Sequence, residues 1–234
     1  MQTDQIVSSQ SGSIQDGVVA SYDFKIMDVI KEAWQCTSGL KGPVLGAGAL
    51  VLVVLIALSF AIIFFLDLFP FIDENLIALV TLVINCIISI LSYPFLAGIM
   101  MMGIHRAIDA PVSYQMVFSY IGFTLPIVIA SICMSIMIAL GFILLIIPGI
   151  YLSIAYMFTF PLIVEKNMDF WQAMETSRKG VHQHWFKVFF TGALMVIIYL
   201  ISTIPLGLGL IWTIPMFVAL QGVLYRRIFG IASV

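Results

Sequence analysis

The stretch 43-PVLGAGALVLVVLIALSFAIIFFL-66 contains no charged residue. A helix needs about 20 apolar residues to cross the roughly 30 Å hydrocarbon core of a bilayer, so this run is long enough to span one. Charge-free runs also occupy 75–103 and 112–164. The chain is 62% hydrophobic and 9% charged, whereas soluble domains carry about 25% charged residues. The pattern predicts an all-α, polytopic membrane protein.

Six transmembrane helices fit the gaps between charged and turn-forming segments. Two of the turns carry no charge, Ile147-Pro-Gly149 and Pro205-Leu-Gly-Leu-Gly209, and there Pro and Gly end one helix and turn the chain. The predicted spans have the approximate limits 44–66, 75–103, 120–145, 150–165, 187–203 and 208–225.

The basic residues predict the orientation of these spans. With six spans, all ten Lys and Arg residues fall on one side, and only Asp67, Asp73 and Glu74 are charged on the other. Because basic residues are retained in the cytoplasm, we expect a multi-pass plasma-membrane protein with both termini cytoplasmic. The polar segment 1–22 lacks the basic and apolar regions of a signal peptide and is predicted to be a flexible cytoplasmic tail. Residues 23–234 then form a single six-helix transmembrane domain.

The polar segments between spans are predicted to form amphipathic helices at the cytoplasmic membrane surface. In 169-DFWQAMETSRKGVHQHWFKVFF-190, Asp169 is a favoured N-cap. Its apolar face is predicted to comprise Phe170, Ala173, Ser177, Val181 and Trp185. A similar stripe after Asp23 comprises Phe24, Met27, Ile30 and Trp34. Similar polar segments precede hairpins whose returning spans contain Pro94, Pro161 or Pro215. This recurrence indicates a degenerate threefold helix-hairpin repeat. The alternative is that the prolines recur by chance, because membrane helices tolerate proline.

No charged residue lies in the interior of the predicted spans, which weakens the case for a proton-coupled transporter. Asn85 is the most costly residue near the middle of the membrane, and we expect an interhelical polar contact there, with a substrate contact as the alternative. Ser131, Ser135 and Ala139 are spaced four apart, as in a ridge that lets helices approach closely.

The sequence contains no recognised catalytic motif, and we expect neither an enzyme nor a cofactor. His182 and His184 would point about 200° apart on a helix and cannot easily share a metal ion. The three cysteines lack the paired spacing of a disulfide framework or a metal site.

A basic patch is predicted at the cytoplasmic surface. Anionic lipid headgroups attract such residues by about 1 kcal/mol each, although retention of topology alone would place them equally well. A partner protein is the alternative contact, and nothing in the pattern favours nucleic acid. The candidate lipid-headgroup or partner contacts are Arg178, Lys179, Lys187, Arg226 and Arg227.

The runs 173-AMETSRKGVHQHWFKVFF-190 and 202-STIPLGLGLIWTIPMFVALQGVLYRRIFG-230 resemble a family of uncharacterised bacterial inner-membrane proteins with six spans. That family is similar to YciC-type envelope proteins and to the membrane domain of some glycerophosphodiester phosphodiesterases. The matching positions are Ala173, Ser177, Trp185, Phe189, Pro205, Gly207, Gly209, Pro215, Tyr225 and Ile228-Phe-Gly230. The resemblance covers about the last 85 residues, implies a bacterial inner-membrane location and carries over no catalytic residue.

These observations predict a non-enzymatic structural or accessory envelope protein that contacts membrane lipids or a larger membrane complex. Tryptophans near the span ends suit anchoring at the membrane interface. The alternative is a carrier or channel for a lipid or a small apolar solute, with prolines of two spans lining a cavity around Asn85.

Overall fold

The computed structural model describes residues 14–15, 18–19, 22–68 and 73–231. The predicted tail, 1–22, therefore lies almost wholly outside the described residues. Two strands of two residues each, β1 (Ile14–Gln15) and β2 (Val18–Val19), pair antiparallel with Ile14 opposite Val19. The remaining regular structure in the described part of the chain is helical.

Eight α-helices follow in the described residues. Two 3-10 turns, Tyr114–Phe118 and Ile121–Phe123, lie between the second and third helices. The helices are α1 (Ile26–Asp67), α2 (Glu74–Ala107), α3 (Thr124–Leu144), α4 (Ile146–Ala155), α5 (Thr159–Glu165), α6 (Phe170–Gln183), α7 (Trp185–Thr203) and α8 (Leu210–Phe229).

The helices confirm the predicted all-α class and its membrane character. By length and composition, five segments of the described chain are able to cross a membrane: Ile26–Leu66, Asn75–Ala107, Tyr114–Leu144, Ile146–Glu165 and Trp185–Thr203. The sixth predicted span, 208–225, is helical as α8 but is not among the five. Gln221 and the Arg226-Arg227 pair lower the hydropathy of this helix.

Helix ends agree with the predicted breaks in most places. Asp169 caps α6 as predicted, since its Oδ2 accepts a hydrogen bond from the backbone N–H of Trp171 at 3.3 Å. The break predicted at Ile147-Pro-Gly149 is displaced, because the chain turns at the extended Leu145 and Pro148 lies in the first turn of α4. Proline is tolerated there, because the first N–H groups of a helix have no intrahelical acceptor.

The stripe predicted after Asp23 is confirmed at Phe24, which is buried, but the N-terminal half of α1 buries other positions than those predicted. Val29, Ala33 and Leu40 are fully buried, whereas Met27 and Trp34 are each 57% exposed. The prediction followed the large apolar side chains. The structure buries smaller ones, because they allow α1 to pack closely against its neighbours.

Helix α8 forms the centre of the bundle and packs chiefly against α1 and α2. Its contact with α2 depends on two glycines. A Cβ on Gly222 would lie 2.0 Å from the carbonyl oxygen of Gly103, and a Cβ on Gly103 would lie 2.1 Å from that of Val218. The backbones of α2 and α8 therefore touch at a distance that excludes any side chain.

Helices α1 and α2 extend beyond this bundle as a long hairpin. None of the described residues between Ala47 and Pro94 is buried. Helix α8 lies beside the N-terminal half of α1, where Arg226 contacts Glu32 and Trp212 contacts Lys41. The predicted first and last spans, 44–66 and 208–225, are thus offset along α1 rather than side by side.

Candidate functional site at the basic end of the bundle

Glu32 of α1 receives both arginines at the end of α8. Arg226 Nη2 donates to its Oε1, and Arg227 Nη2 donates to its Oε2 at 2.5 Å. Arg226 Nη1 also donates to the backbone carbonyl of Ala107, the last residue of α2. One carboxylate and one guanidinium therefore join three helices, and we call these four residues the Glu32 cluster.

The Glu32 cluster is mostly shielded from water. The side chains of Glu32 and Arg227 are each 21% exposed, and that of Arg226 is 32% exposed. Two guanidinium groups share one carboxylate, which leaves a net positive charge. The Nε of Arg227 is buried and has no hydrogen-bond partner among the described residues. Because partly buried charges need partners, loss of the carboxylate would be costly.

Arg106 of α2 lies next to this cluster and binds a different set of groups. Its Nε donates to the carbonyl of Cys36 at 3.3 Å, and its Nη1 lies 3.4 Å from Asp109. A Cβ on Gly39 would come within 2.5 Å of Arg106 Nε. The glycine therefore makes room for the guanidinium against α1.

The segment Tyr22–Phe24, which we call the strap, is held at the junction of α6 and α7. Tyr22 donates its hydroxyl to the carbonyl of Gly180 at 2.9 Å, and Lys187 forms an ion pair with Asp23. His184 Nε2 lies 2.5 Å from the carbonyl oxygen of Tyr22 and must be the donor, because a carbonyl only accepts. The strap fixes how the chain enters α1.

The two titratable groups of the strap have shifted pKa values. The hydrogen bond from Lys187, with a second from the backbone of Phe24, lowers the pKa of Asp23. Burial, followed by the charge of Asp23, raises the pKa of Tyr22. At neutral pH the strap therefore holds an ionised carboxylate and a neutral phenol, which are the forms its hydrogen bonds require.

Helix α6 carries a separate group of charges. Arg178 makes two hydrogen bonds to Glu175, at 2.9 and 2.7 Å, and Lys179 lies 3.4 Å from the same carboxylate. The hydrogen bond from Arg178 is the main reason that the pKa of Glu175 is lowered. Three or four residues apart on a helix, these side chains are close neighbours.

The opposite side of α6 packs along α4 and α5. Ser177 is fully buried, donates to the carbonyl of Ala155 at 2.7 Å and accepts from the N–H of Phe158 at 3.2 Å. These are backbone groups at the break between α4 and α5. His182, farther along α6, lies 3.0 Å from the hydroxyl of Tyr151. Helix α6 thus supplies hydrogen-bond partners to the broken segment that precedes it, formed by α4 and α5.

The five basic residues predicted as one patch belong to three different groups. Arg178 and Lys179 pair with Glu175 on α6, Lys187 pairs with the strap, and the Arg226-Arg227 pair binds Glu32. Each has an acidic partner within the chain. Their proposed contact with headgroups or a partner protein stays a prediction.

The acidic partners are the residues that the sequence reasoning missed. Glu175 and Arg178 are three residues apart, and on a helix this spacing brings two side chains together. The sequence alone could therefore have predicted this ion pair. Glu32 and Arg226 are 194 residues apart, and no local pattern connects them.

Asn85 lies on the exposed outer surface of the hairpin. Its Nδ2 donates to the carbonyl of Thr81, one turn earlier in α2, at 2.8 Å. Because the amide can satisfy itself within its own helix, the predicted interhelical contact is not formed among the described residues of this chain. The predicted ridge also differs: Ser131 is buried, but Ser135 and Ala139 are exposed, and a close backbone approach is found instead at Gly103 and Gly222.

Among the described residues, no group of three His, Cys, Asp or Glu side chains could hold a metal ion. His182 and His184 each have a different partner, as described above. Comparisons of the chain with protein-family models, with curated protein sequences and with solved structures find no match.

Proposed function

We propose that this chain is a non-enzymatic, multi-pass protein of the bacterial inner membrane. It acts as a structural or accessory envelope factor that contacts lipid or a larger membrane complex. Both termini are cytoplasmic, and α8 is the sixth span, packed against α1 and α2. The even span count keeps nine of the ten basic residues on one side, which agrees with the positive-inside rule. The exception is Lys41, which contacts Trp212 near the opposite end of α8.

The main support is the way in which polar side chains of the apolar helices are satisfied. Ser59 bonds to Leu55, Asn85 to Thr81 and Ser202 to Ile198, in each case through a carbonyl of the same helix. A carrier needs polar groups that converge on a solute from several helices. These groups turn back onto their own backbones, which favours a scaffold.

The exposed surface agrees with extensive contact with lipid. Phe60 on the hairpin and Phe186 on α7 are 69% and 70% exposed, and Leu206 in the α7–α8 loop is 97% exposed. Apolar surface of this extent marks a membrane or protein contact. Trp34, Trp171 and Trp212 are also exposed, as expected of anchors at the membrane interface.

The amphipathic surface helices and the threefold repeat belong to the same proposal. Helix α6, with a capping Asp169 and a buried face of small residues, is the segment that fits best. The strap and the N-terminal half of α1 would form the surface helix of the first copy of the repeat. In the middle copy, the segment between Asp109 and Phe123 contains two 3-10 turns in place of an α-helix.

A carrier or channel for a lipid or small apolar solute is the second candidate. It is favoured by Thr159, whose buried hydroxyl has no hydrogen-bond partner among the described residues, and by prolines inside α2 and α8. An unpaired hydroxyl in an apolar interior is a candidate contact for a solute.

The test is to isolate the protein gently from native membranes and to identify co-purifying lipids and proteins by mass spectrometry. The charge-reversal variant Arg178→Glu/Lys179→Glu should lose a partner bound at the α6 surface, whereas Gln172→Glu, on an exposed position of the same helix, should retain it. Solute transport that is lost in Asn85→Leu or Thr159→Val at normal expression would instead establish the carrier.

A further inference from the structure

Helix α1 is too long to be a single straight membrane element. Its 42 residues measure about 63 Å, twice the roughly 30 Å hydrocarbon core. Helix α8 lies beside only the N-terminal half of α1, as the contacts of Glu32 with Arg226 and of Lys41 with Trp212 establish. The apolar surfaces of α7 and of the hairpin therefore follow one another along α1. With α1 straight, a flat bilayer would cover both only at a tilt of about 60°, beyond the range of about 0–40° that transmembrane helices show.

We propose that the hairpin, described at residues 48–68 and 73–92, is joined to the bundle by a hinge at 42–48 of α1 and at Pro94 of α2. Tilting at this hinge brings the apolar surfaces of the hairpin and the bundle into one bilayer. The inference rests on the proposed membrane function and adds to it a defined internal motion.

Both halves of the hinge lie at the same height in the fold. A Cβ on Gly46 of α1 would be 3.8 Å from Tyr114, and a Cβ on Gly98 of α2 would be 2.7 Å from Val117. Tyr114 and Val117 belong to one 3-10 turn, so that turn marks a common level on both helices. Pro94 is one helical turn farther out than Gly98.

Packing against the bundle ends at this level in both helices. Ala47 is fully buried, and no described residue of α1 beyond it is buried. In α2, Pro94 is buried and no described residue before it is. The bundle therefore holds α1 as far as Ala47, within the hinge segment, and α2 from Pro94 onward, and it leaves the hairpin free beyond these residues.

Each helix has a proline near the point where it leaves the bundle, Pro43 one turn before the last buried residue of α1 and Pro94 at the first described buried position of α2. Pro43 has no N–H to give to the carbonyl of Gly39, and Pro94 has none for that of Ile90. Loss of this bond, and the clash of the ring with the preceding turn, are the usual causes of helix kinks. A proline near the exit of each helix makes a coordinated bend possible.

The glycines of α1 near this level are not required by the static fold. A Cβ on Gly42 or Gly48 would meet nothing within 4 Å, and neither residue has a positive φ. In contrast, Gly39 and Gly98 sit where a Cβ would clash. Glycine weakens a helix relative to alanine, so the contribution of Gly42 and Gly48 is local flexibility.

The test measures the bend directly along α1. Spin labels replace Met27 and Phe64, which are 57% and 70% exposed, in a variant whose cysteines are changed to alanine. Pulsed electron paramagnetic resonance in liposomes of phosphatidylethanolamine and phosphatidylglycerol gives their separation. A straight helix predicts about 56 Å, and a right-angle bend at the hinge predicts about 39 Å. We expect a main population at least 8 Å shorter than the straight value. A single narrow peak near 56 Å would overturn the hinge.

Stiffened variants provide the matched comparison. Gly42→Ala/Gly48→Ala, and separately Pro43→Ala, should move the distribution toward the straight value. Gly192→Ala in α7, where a Cβ is equally free, should leave it unchanged. A bent distribution that the stiffened variants do not alter would place the bend elsewhere and overturn the assignment.

Extraction of membranes with alkaline carbonate separates this inference from the proposed function. If the chain resists extraction but shows only the straight distance, the hinge is contradicted and the proposed membrane function stands. If carbonate extracts the chain, the proposed membrane function is contradicted, and the argument for the hinge fails with it.

Discussion

At the scale of single residues, ion pairs decide how the ends of the helices are joined. Glu32 binds two arginines of α8 in a partly buried setting, whereas Glu175 pairs with Arg178 at a more exposed site. Removing one partner of a buried pair leaves uncompensated charge and is costly. Exposed pairs contribute about 1 kcal/mol or less. The two carboxylates should therefore differ in their effect on stability.

Glu32→Gln should lower the free energy of unfolding by about 1–3 kcal/mol, because both guanidinium groups lose their counter-charge. Thermal unfolding in detergent micelles, followed by circular dichroism, measures the change. The matched control is Glu175→Gln, which should cost less than about 1 kcal/mol. Equal losses in the two variants would show that the Glu32 cluster does not hold the helices together.

Acidification should release the strap. Because Lys187 lowers the pKa of Asp23 below its ordinary value of 3.8, their bond contributes fully above that value and is lost as the pH falls through the lower pKa of the folded protein. A spin label at Lys25→Cys should have low mobility at pH 6 and should gain mobility as the pH falls below 3.8 and through the lowered pKa of Asp23. In Asp23→Asn the label should have the higher mobility at both pH values. A label that stays immobile in Asp23→Asn would contradict this role.

At the scale of helices, the contact of α2 with α8 depends on space rather than on charge. Gly103 and Gly222 face each other at a distance that no Cβ can occupy. Overpacking at such a contact forces backbone shifts. The backbone contact at this crossing therefore limits how far apart the two helices can lie.

Gly222→Ala should destabilise the protein by about 1–3 kcal/mol, since the added Cβ must displace the backbone of α2. Thermal unfolding in detergent is again the measurement. Gly192→Ala, in the interior of α7 with open space at its Cβ, should be neutral or slightly stabilising. If Gly222→Ala were equally neutral, the close approach of α2 and α8 would be wrong.

At the scale of the whole molecule, the number of crossings determines which side each loop faces. Within the described residues, five segments are long and apolar enough to span, and α8, which carries Gln221, Arg226 and Arg227, is not among them. If α8 crosses as the sixth span, the α7–α8 loop and the C-terminal end of α8 lie on opposite sides. If it does not, they lie on the same side.

Single cysteines at Leu206 and Ile231, in a background without native cysteines, test this point. With six spans, an impermeant maleimide added to spheroplasts should label Leu206→Cys at once and Ile231→Cys only after permeabilisation. Lys25→Cys, at the start of the first span, should behave like Ile231→Cys. Labelling of Ile231→Cys in intact spheroplasts would leave five spans and place the termini on opposite sides.

The sequence by itself determined the membrane class, the positions of most helix breaks and the N-cap at Asp169. These features depend on local hydropathy, on turn chemistry and on side chains two or three residues apart. Tertiary structure alone decided that Glu32 binds Arg226, that Gly103 meets Gly222 and that Asn85 faces outward. It also placed α8 beside the first half of α1. Such contacts join residues distant in the chain, and they are set by how whole helices pack, which no local pattern encodes.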